Sequence, residues 1–432
     1  MSEKISKIEQ KGLSPVLLEE KKSWVSVALI WSGSVICVPA LMDGGFITSG
    51  LPFSSAIFSM IAGYVIVVLY MSLLGMQASD LGLPSVVTFS GAFGRKGSSY
   101  VISSVIFFCF TCWFGLQASV CGAAFSGLMM AYDINIPIWI SVALWGTIMF
   151  ITAVYGFNFI DYLNRVSVPA LILILIYSAI KILTNPESMA LIANYTPSAS
   201  TSLIAGIGLA VGGFASGAVL AGDITRYSKN RKETILGVVV GVLPAGIGSL
   251  IIGSMLAINS ASLGMDNTSI VNMLTSIGNP MIGLIVLILA TWTTNVSNAY
   301  SAGFALLDIT SLGDRYRSRT TLIAGVAGTL LAIFGILNYL NNFLNIVAIF
   351  LPPIAGVAIM DYWVIRKGDL KNWDPVPGIN KAGFVSWIIG ALFAILLPNF
   401  FIPTINAIAV SCICYLIFYP IFNKDNAIKG EL

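Results

Sequence analysis

The sequence predicts an all-α membrane protein with twelve spanning helices, and three observations lead to this prediction. Of the 432 residues, 57% are hydrophobic and only 9% are charged, whereas soluble domains have about 25% charged residues. Apolar stretches of roughly 20 residues, enough to cross a bilayer as a helix, recur along the whole chain. The basic residues fall in alternate loops, as expected for a polytopic protein.

The apolar stretches are separated by short polar loops, and each stretch is long enough for one span. The first apolar run has spanning length and follows a polar tail, so no cleavable signal peptide is predicted. The spans are centred at Trp24–Leu41, Ser54–Met76, Tyr100–Met130, Ile136–Phe157, Val166–Ile182, Leu203–Ala221, Thr234–Ile258, Met281–Leu307, Thr321–Leu337, Phe343–Val364, Phe384–Leu397 and Pro403–Ile421.

The distribution of Lys and Arg predicts the orientation of the chain. With the N-terminus inside, the N-terminal tail and every second loop should carry the basic residues. All 22 Lys and Arg residues except Lys181 lie on that side. We therefore expect an integral protein of the plasma (inner) membrane with both termini in the cytoplasm.

Two spans are interrupted by glycine in corresponding positions. The first span contains IWSGSVICVPALMDGG and the sixth contains GIGLAVGGFASGAVLAG. Such a pair, in halves of opposite topology, indicates an inverted-repeat transporter whose freed backbone lines a protected cavity. Close packing of small residues is the alternative. Spans three and eight carry polar groups after a tryptophan, in TCWFGLQAS and ATWTTNVSN, so we expect these four spans to surround one site.

The acidic residues lie near span ends, which disfavours proton coupling through a titrating side chain. Proton relays in membranes usually employ Asp, Glu or His, and the chain has no histidine. We expect no ionisable residue at the middle of a span. The acids expected at cytoplasmic ends are Asp223, Asp308 and Asp361, and those expected at outer ends are Asp43, Asp133, Glu187 and Asp266.

Aromatic and amide side chains in the same spans favour an uncharged, flat solute. No Lys or Arg lies at mid-membrane to bind an anion. Trp113 and Phe214 offer aromatic faces, and stacking on such a face is worth about 1 to 3 kcal/mol. Gln117, one turn after Trp113, and Asn295 offer amide donors and acceptors. The site suits a planar heterocyclic amide, whereas each aromatic residue taken alone could be ordinary core packing.

Threonine hydroxyls and freed carbonyl groups favour sodium as the coupling ion. Helix breaks supply oxygen ligands for sodium from unwound backbone carbonyls and Ser or Thr hydroxyls. Thr293 and Thr294 in span eight, with carbonyl groups around Gly33 in the broken first span, meet this requirement. The alternative for adjacent threonines is hydrogen bonding to the preceding helical turn.

Other classes of function have little support in the sequence. Without histidine there is no Ser-His or Cys-His pair, and no Gly-rich loop precedes a Lys-Ser/Thr pair, so an enzyme or an ATP-driven pump is not predicted. Cys109 and Cys112 have CxxC spacing, but helix packing explains them because no second ligand pair exists. We expect no organic cofactor, no nucleic-acid partner, and a monomer in the lipid bilayer.

Four segments together resemble the nucleobase:cation symporter family, which includes cytosine, purine, hydantoin and allantoin permeases. The similarity covers most of the chain, and the last two segments are the most specific because their order and span positions also fit. The segments are Trp113–Gln117 (WFGLQ), Gly212–Asn230 (GGFASGAVLAGDITRYSKN), Trp292–Asn295 (WTTN) and Pro352–Arg366 (PPIAGVAIMDYWVIR).

This resemblance implies a leucine-transporter-type fold, with two inverted five-helix repeats and two extra helices. The implied regions are a cytosolic tail at 1–22, a first repeat at 23–184, a second repeat at 202–366, the last two helices at 383–422, and a cytosolic tail at 423–432.

The resemblance also implies the binding residues. Relatives stack the heterocycle on the tryptophan of span three and enclose it with the aromatic residue of span six. The implied substrate site comprises Trp113, Gln117, Phe214, Ser216, Asn295, Cys37 and Gly213. The implied sodium site comprises carbonyl groups of Gly33, Ile36 and Ala290 with hydroxyl groups of Thr293 and Thr294.

The identity of the solute stays open at this point. Gln117 is typical of hydantoin-type members, whereas Phe214 is typical of cytosine permeases, and we favour cytosine or a purine carried with sodium by alternating access. A sodium-coupled hydantoin-like or allantoin-like carrier, or an amino-acid carrier of the same fold, is the alternative. A non-transporting receptor is a third hypothesis, but it would be expected to carry a signalling domain, for which the short tails leave no room.

Overall fold

The structure, a computed structural model, describes residues 12–130, 132–262, 280–398 and 400–423. The predicted tail residues 1–11 and 424–432 and the predicted outer-end acid Asp266 lie outside the described residues. Within these ranges the regular elements are helices and no strand is present. The all-α prediction is therefore confirmed for the described chain.

The main helices are numbered here in chain order, and shorter helical segments connect several of them. The short segments used below are a 3-10 turn at Leu18–Glu20, a helix at Gly222–Thr225 and a 3-10 turn at Asp314–Tyr316. The main helices are α1 (Trp24–Val35), α2 (Val38–Gly50), α3 (Phe53–Leu81), α4 (Ser103–Met130), α5 (Ile138–Val154), α6 (Phe157–Leu183), α7 (Pro186–Ala193), α8 (Leu203–Val219), α9 (Arg231–Ser262), α10 (Pro280–Thr310), α11 (Arg317–Ile333), α12 (Leu340–Phe350), α13 (Pro352–Ile359, continued by a π-helix at Met360–Ile365), α14 (Lys381–Leu396) and α15 (Pro403–Phe422).

Several of these helices have the length and composition of membrane spans. Among the described residues, six helices are long and apolar enough to cross a bilayer, or seven if the bent pair α1 and α2 counts as one span. Three further apolar helices, α5, α8 and α14, have 10–17 residues. The chain is thus an integral membrane protein, and the count of twelve spans stays a prediction.

The first predicted span is broken, as its glycines and proline suggested. Helix α1 ends at Val35, α2 begins at Val38, and the two axes differ by 59°. Pro39 lies in the first turn of α2, where its missing N–H group is tolerated. Helix α2 then runs to Gly50, well beyond Leu41 where the sequence predicted the span to end.

The sixth predicted span is one continuous helix up to a turn at its predicted end. Helix α8 ends at Val219, Leu220 and Ala221 form a turn, and the short helix Gly222–Thr225 continues the chain. The turn falls at the end of the glycine-rich segment, whereas the glycines from Gly206 to Gly217 lie inside regular helix.

Helix α9 packs along both halves of the broken first span. Gly241 touches α1, because a Cβ atom there would lie 2.6 Å from the carbonyl oxygen of Ala28. Gly253 touches α2, and a Cβ atom there would collide with the carbonyl group of Leu41. Pro244 lies inside α9 between these two contacts. Glycine thus lets the α9 backbone lie directly against α1 and α2.

Residues 12–22, which we name the N-terminal strap, lie across one end of the helical bundle. The Val16 N–H donates to the carbonyl oxygen of Gly82 at 2.9 Å, and Lys21 Nζ donates to that of Ser79 at 2.8 Å, so the strap holds the end of α3. The Lys22 N–H donates to the carbonyl oxygen of Tyr227 at 2.7 Å. The predicted tail is therefore packed on the bundle from residue 12 onward.

The same strap also contacts the connection between α10 and α11. The Leu13 N–H donates to Asp314 Oδ1 at 2.9 Å, and the Ser14 N–H donates to Asp314 Oδ2 at 3.3 Å. Partial burial raises the pKa of Asp314, but hydrogen bonds from Ser14, Leu13 and Gly12 lower it more, so the pKa lies below its ordinary value. The strap thus links α3 to the α10–α11 connection.

Candidate functional site

A small cavity of ≈ 60 Å³ lies at the level of the two helix breaks. Its wall is formed by α1, α2, α4, α8 and α10, with the residues after α8 at one end. The lining residues are Trp31, Ser34, Cys37, Pro39, Phe110, Trp113, Gln117, Gly213, Phe214, Ser216, Gly217, Leu220, Ile224, Thr294, Ser297, Asn298 and Ser301. None of these side chains carries a formal charge.

The structure brings most of the predicted substrate residues to this wall. Six of the seven line the cavity: Cys37, Trp113, Gln117, Gly213, Phe214 and Ser216. Cys37 lies at the break just before α2, and the other five come from α4 and α8. Helix α2 packs against α8. Their contact with a solute stays a prediction.

Asn295, the seventh predicted residue, lies behind the wall. It is fully buried, and its Nδ2 donates to the carbonyl oxygen of Phe114 at 3.0 Å. Its Oδ1 accepts a hydrogen bond of 3.1 Å from Asn298 Nδ2, and Asn298 itself lines the cavity. The structure thus places Asn298 at the wall and Asn295 as the residue that orients it. Asn298 lies three residues after Asn295 on the same face of α10, and this spacing is the sequence feature that could have identified it.

Two indole groups at the wall have unused donors. Trp31 and Trp113 both line the cavity, and within the described chain neither Nε1 has a hydrogen-bond acceptor. Trp31 stands edge-on to Phe214, with 6.2 Å between ring centroids, and Trp113 stands edge-on to Phe343 at 5.4 Å. Both Nε1 atoms are themselves buried, and a buried N–H group without an acceptor is costly. The sequence analysis missed Trp31, although it lies two residues before Gly33.

A cluster of oxygen atoms joins α1 to α10 beside this cavity. Thr293 Oγ1 donates to the carbonyl oxygen of Gly33 at 2.8 Å and lies 3.2 Å from that of Ala290. Thr294 Oγ1 lies 2.8 Å from the carbonyl oxygen of Ala290 and 3.4 Å from that of Gly33. Four of the five predicted sodium ligands thus converge, and the fifth, Ile36, occupies the break itself.

This cluster fits a sodium ion by its chemistry. All its donors are oxygen, and the hydroxyl groups bridge two helices, so an ion could replace those hydrogen bonds with direct coordination. Groups of three or more His, Cys, Asp or Glu side chains that could hold a metal do not occur in the described ranges. The alternative of hydrogen bonding to the preceding turn also holds, because both hydroxyl groups contact carbonyl oxygens of α10.

Asp43 corrects the predicted distribution of acids. The sequence placed it at or beyond an outer span end, but it lies inside α2, because that helix continues to Gly50. Asp43 is half-buried, and a Cβ atom on Gly213 would collide with its carboxylate. Since Gly213 lines the cavity, a carboxylate lies directly behind that wall. Asp43 therefore lies inside the last turns of the broken span and not, as the sequence had predicted, beyond its outer end.

The end of the cavity near the strap is closed by Arg226 and aromatic rings. Arg226 is fully buried, and its Nη2 donates to the hydroxyl oxygens of Tyr227 at 3.1 Å and Tyr300 at 3.2 Å. Its guanidinium lies 4.6 Å from the ring centroid of Phe304. The sequence placed Arg226 in a basic loop, where it could pair with Asp223 at the cytosolic end of span six, whereas the structure buries it in this closing layer.

Comparison with known proteins agrees with this architecture. Cytosine permease of Escherichia coli (strain K12) is 25% identical over 411 residues, covering 95% of this chain and 94% of the relative. Hydantoin permease of Microbacterium maritypicum is 25% identical over 406 residues, covering 87% and 81%. A solved structure of a nucleobase-cation-symport-1 family transporter, closed with bromovinylhydantoin bound, superposes with a TM-score of 0.83 at 20% identity, covering 97% of each chain.

A family profile supplies the assignment. The family described as permease for cytosine/purines, uracil, thiamine, allantoin matches residues 17–418, nearly the whole chain. The resemblance seen in four sequence segments is thereby confirmed, and the relatives are permeases, not enzymes. The chain belongs to this permease family.

Proposed function

We propose that this protein is a secondary active transporter that imports a neutral nucleobase, cytosine or a purine, together with sodium. The main observation behind this proposal is the cavity wall, which combines aromatic rings and amide groups without a formal charge. A flat heterocycle can stack on Trp113 while its polar edge meets Gln117 and Asn298. The similarity to cytosine and hydantoin permeases supports a solute of this class.

The coupling proposed here places sodium at the oxygen cluster of Gly33, Ile36, Ala290, Thr293 and Thr294. That cluster shares Thr294 with the cavity wall, so an ion there would stabilise the broken first span next to the solute. Because coupling between two binding sites is reciprocal, sodium should then raise the affinity for the solute, and the solute should raise the affinity for sodium.

The architecture proposed for this function is the twelve-span arrangement inferred from the sequence. It has inverted repeats at 23–184 and 202–366, two further helices at 383–422, and both termini in the cytoplasm of a plasma-membrane monomer. The broken first span and the turn that ends α8 support the repeat, and the alternation of basic loops supports the orientation.

A proton is the second candidate for the coupling ion, and Asp43 is the observation that favours it. A carboxylate within a membrane span is costly and is a functional candidate by default. Asp43 lies behind Gly213, which lines the cavity. A titrating group is therefore present beside the site after all.

Uptake into proteoliposomes tests both candidates. Radiolabelled cytosine, adenine, hypoxanthine, uracil and hydantoin are offered with an inward sodium gradient or with a pH gradient. We expect accumulation of cytosine or a purine that depends on sodium and persists in Asp43→Asn. Accumulation that is driven by the pH gradient alone and is lost in Asp43→Asn would show that the coupling ion is the proton and not sodium. The melting temperature of the purified protein is measured with the same bases and with amino acids. A rise with amino acids but with none of the bases would overturn the nucleobase assignment.

A further inference from the structure

Asn164 of α6 has an oxygen atom without a hydrogen-bond partner. The side chain is fully buried, its Nδ2 donates to the carbonyl oxygen of Ile160 at 2.8 Å, and its Oδ1 has no donor within the described chain. Buried amide oxygens are nearly always satisfied, and leaving one unsatisfied costs about 1 to 3 kcal/mol. The unpaired oxygen therefore needs an explanation.

The position of the Asn164 oxygen suggests an explanation. It lies against the backbone of Gly33, so closely that a Cβ atom at Gly33 would collide with it. Gly33 is the α1 residue whose carbonyl oxygen receives the hydroxyl of Thr293. An unsatisfied oxygen from α6 and the oxygen cluster of α1 and α10 thus flank the same residue. Helix α6 reaches this point because it packs along α1.

We propose that Asn164 Oδ1 is an additional ligand of the coupling cation, supplied by α6. This inference rests on the sodium coupling proposed above and extends that site from two helices to three. An amide oxygen is a suitable ligand for a hard cation, as carbonyl oxygens are. Glycine at position 33 is required because any side chain would displace this oxygen. Ion binding would then hold α6 against the break in the first span.

Sodium titration of the purified full-length protein, without solute, tests the proposal. The readout is the rise in melting temperature with sodium, which gives an apparent Kd. We expect Asn164→Ala to raise this Kd about ten-fold, the effect of losing one ligand worth ~1.4 kcal/mol. Asn164→Asp, which adds a formal negative charge, should lower it. Asn406→Ala, which alters another buried amide with an unpartnered atom on α15, should leave it unchanged.

The outcomes separate a ligand from a structural residue. An Asn164→Ala protein that melts lower in sodium-free buffer but keeps the wild-type sodium Kd would overturn the proposal, because the oxygen then serves packing or a water molecule. If the Ala variant does not fold, Asn164→Asp decides, and an unchanged Kd in that variant overturns the proposal too. Cytosine and purine binding measured on the same samples shows separately whether the nucleobase assignment stands.

Discussion

The guanidinium of Arg226 donates a hydrogen bond from Nη1 to the carbonyl oxygen of Gly12, 2.8 Å away. A cation buried between the cavity and the strap therefore joins the first residue of the strap to the aromatic closing layer. Because Arg226 contacts both, separating the strap from this layer would break its hydrogen bonds.

Replacement of Arg226 by Met should open this end of the bundle. The substitution keeps much of the side-chain volume but removes the hydrogen bonds to Gly12, Tyr227 and Tyr300. Cys37 in the cavity wall is a native reporter, with the other five cysteines replaced by Ala. In sealed inside-out vesicles, a membrane-impermeant maleimide should label Cys37 at least about five-fold faster, which corresponds to ~1 kcal/mol.

Arg165→Met is the matched control for that experiment. Arg165 is half-exposed and pairs with Asp161 one helical turn away, so its removal should have little effect on Cys37 labelling. Equal labelling of the wild type and Arg226→Met would show that this layer does not limit access.

Asp314→Asn should loosen the strap without affecting the cavity. The charged carboxylate accepts hydrogen bonds from Leu13 and Ser14, and because Asp314 is partly exposed the loss should be modest, about 1 kcal/mol. Hydrogen exchange at the Val16 N–H, which is bonded to Gly82, should accelerate about five-fold. Unchanged exchange would mean that other strap contacts suffice.

The same carboxylate fixes the pH dependence of strap docking. Its pKa is lower when docked than when free, so its contribution is fully present above the ordinary Asp value and is lost as the pH falls through the docked value. We therefore expect Val16 exchange, corrected for the intrinsic rate, to be constant from neutral pH down to about 5 and to rise only in stronger acid, near or below the ordinary pKa of about 3.9. Loosening between pH 6 and 7 would implicate another group.

Trp113→Ala should strongly weaken solute binding and preserve the fold. The ring lines the cavity and is only half-buried, and loss of stacking of about 1 to 3 kcal/mol raises the solute Kd roughly 5- to 150-fold. Calorimetry gives the Kd, and the melting temperature without solute checks folding. Retained affinity would make Trp113 a packing residue.

Trp31→Phe tests the unused indole donor more finely. The substitution keeps an aromatic ring against Phe214 but removes Nε1, which has no acceptor within the described residues. A base that accepts this hydrogen bond should bind about 5- to 10-fold more weakly, a loss of ~1 to 1.4 kcal/mol. Binding at wild-type strength for every base would show that the donor faces no solute.

Thr293→Val should abolish the effect of sodium on solute affinity. Valine has nearly the same shape but lacks the hydroxyl that contacts Gly33 and Ala290. Thr291→Val is the control on the same helix, because the Thr291 hydroxyl bonds to Leu287 and Ile288 of its own helix and contacts Cys121 of α4. Solute Kd with and without sodium is the measurement. A sodium effect that is preserved in Thr293→Val but lost in Thr291→Val would show that the ion does not bind at Thr293.

The fold class and most of the residues that line the cavity could be predicted from the sequence, because both depend on local patterns. Hydrophobic length predicts spans, and the Trp113–Gln117 segment puts two site residues one turn apart on α4. The position of Asp43 could not be predicted in the same way. Hydropathy showed where the first apolar run weakens, but not that α2 continues past the break and turns Asp43 toward Gly213.

The burial of a charged side chain was the second feature that could not be predicted from the sequence. Arg226 belongs to a run of basic residues that the positive-inside pattern explains completely, so no local signal distinguishes it from its exposed neighbours Lys229 and Lys232. Its burial depends on Tyr300 and Phe304, which lie more than seventy residues away in the chain. Contacts between residues so far apart in the chain produce no periodic pattern in the sequence.

Helix α9 gives the break in the first span a mechanical constraint. Since Gly241 and Gly253 fix one continuous helix to α1 and to α2, the 59° angle between those helices cannot change freely. Any swing of one half must be matched by bending of α9, and Pro244, which removes one backbone hydrogen bond, stands between the two attachments. The broken span and its neighbour therefore act as a jointed pair, in which proline in one helix permits the movement that the unwound residues in the other require.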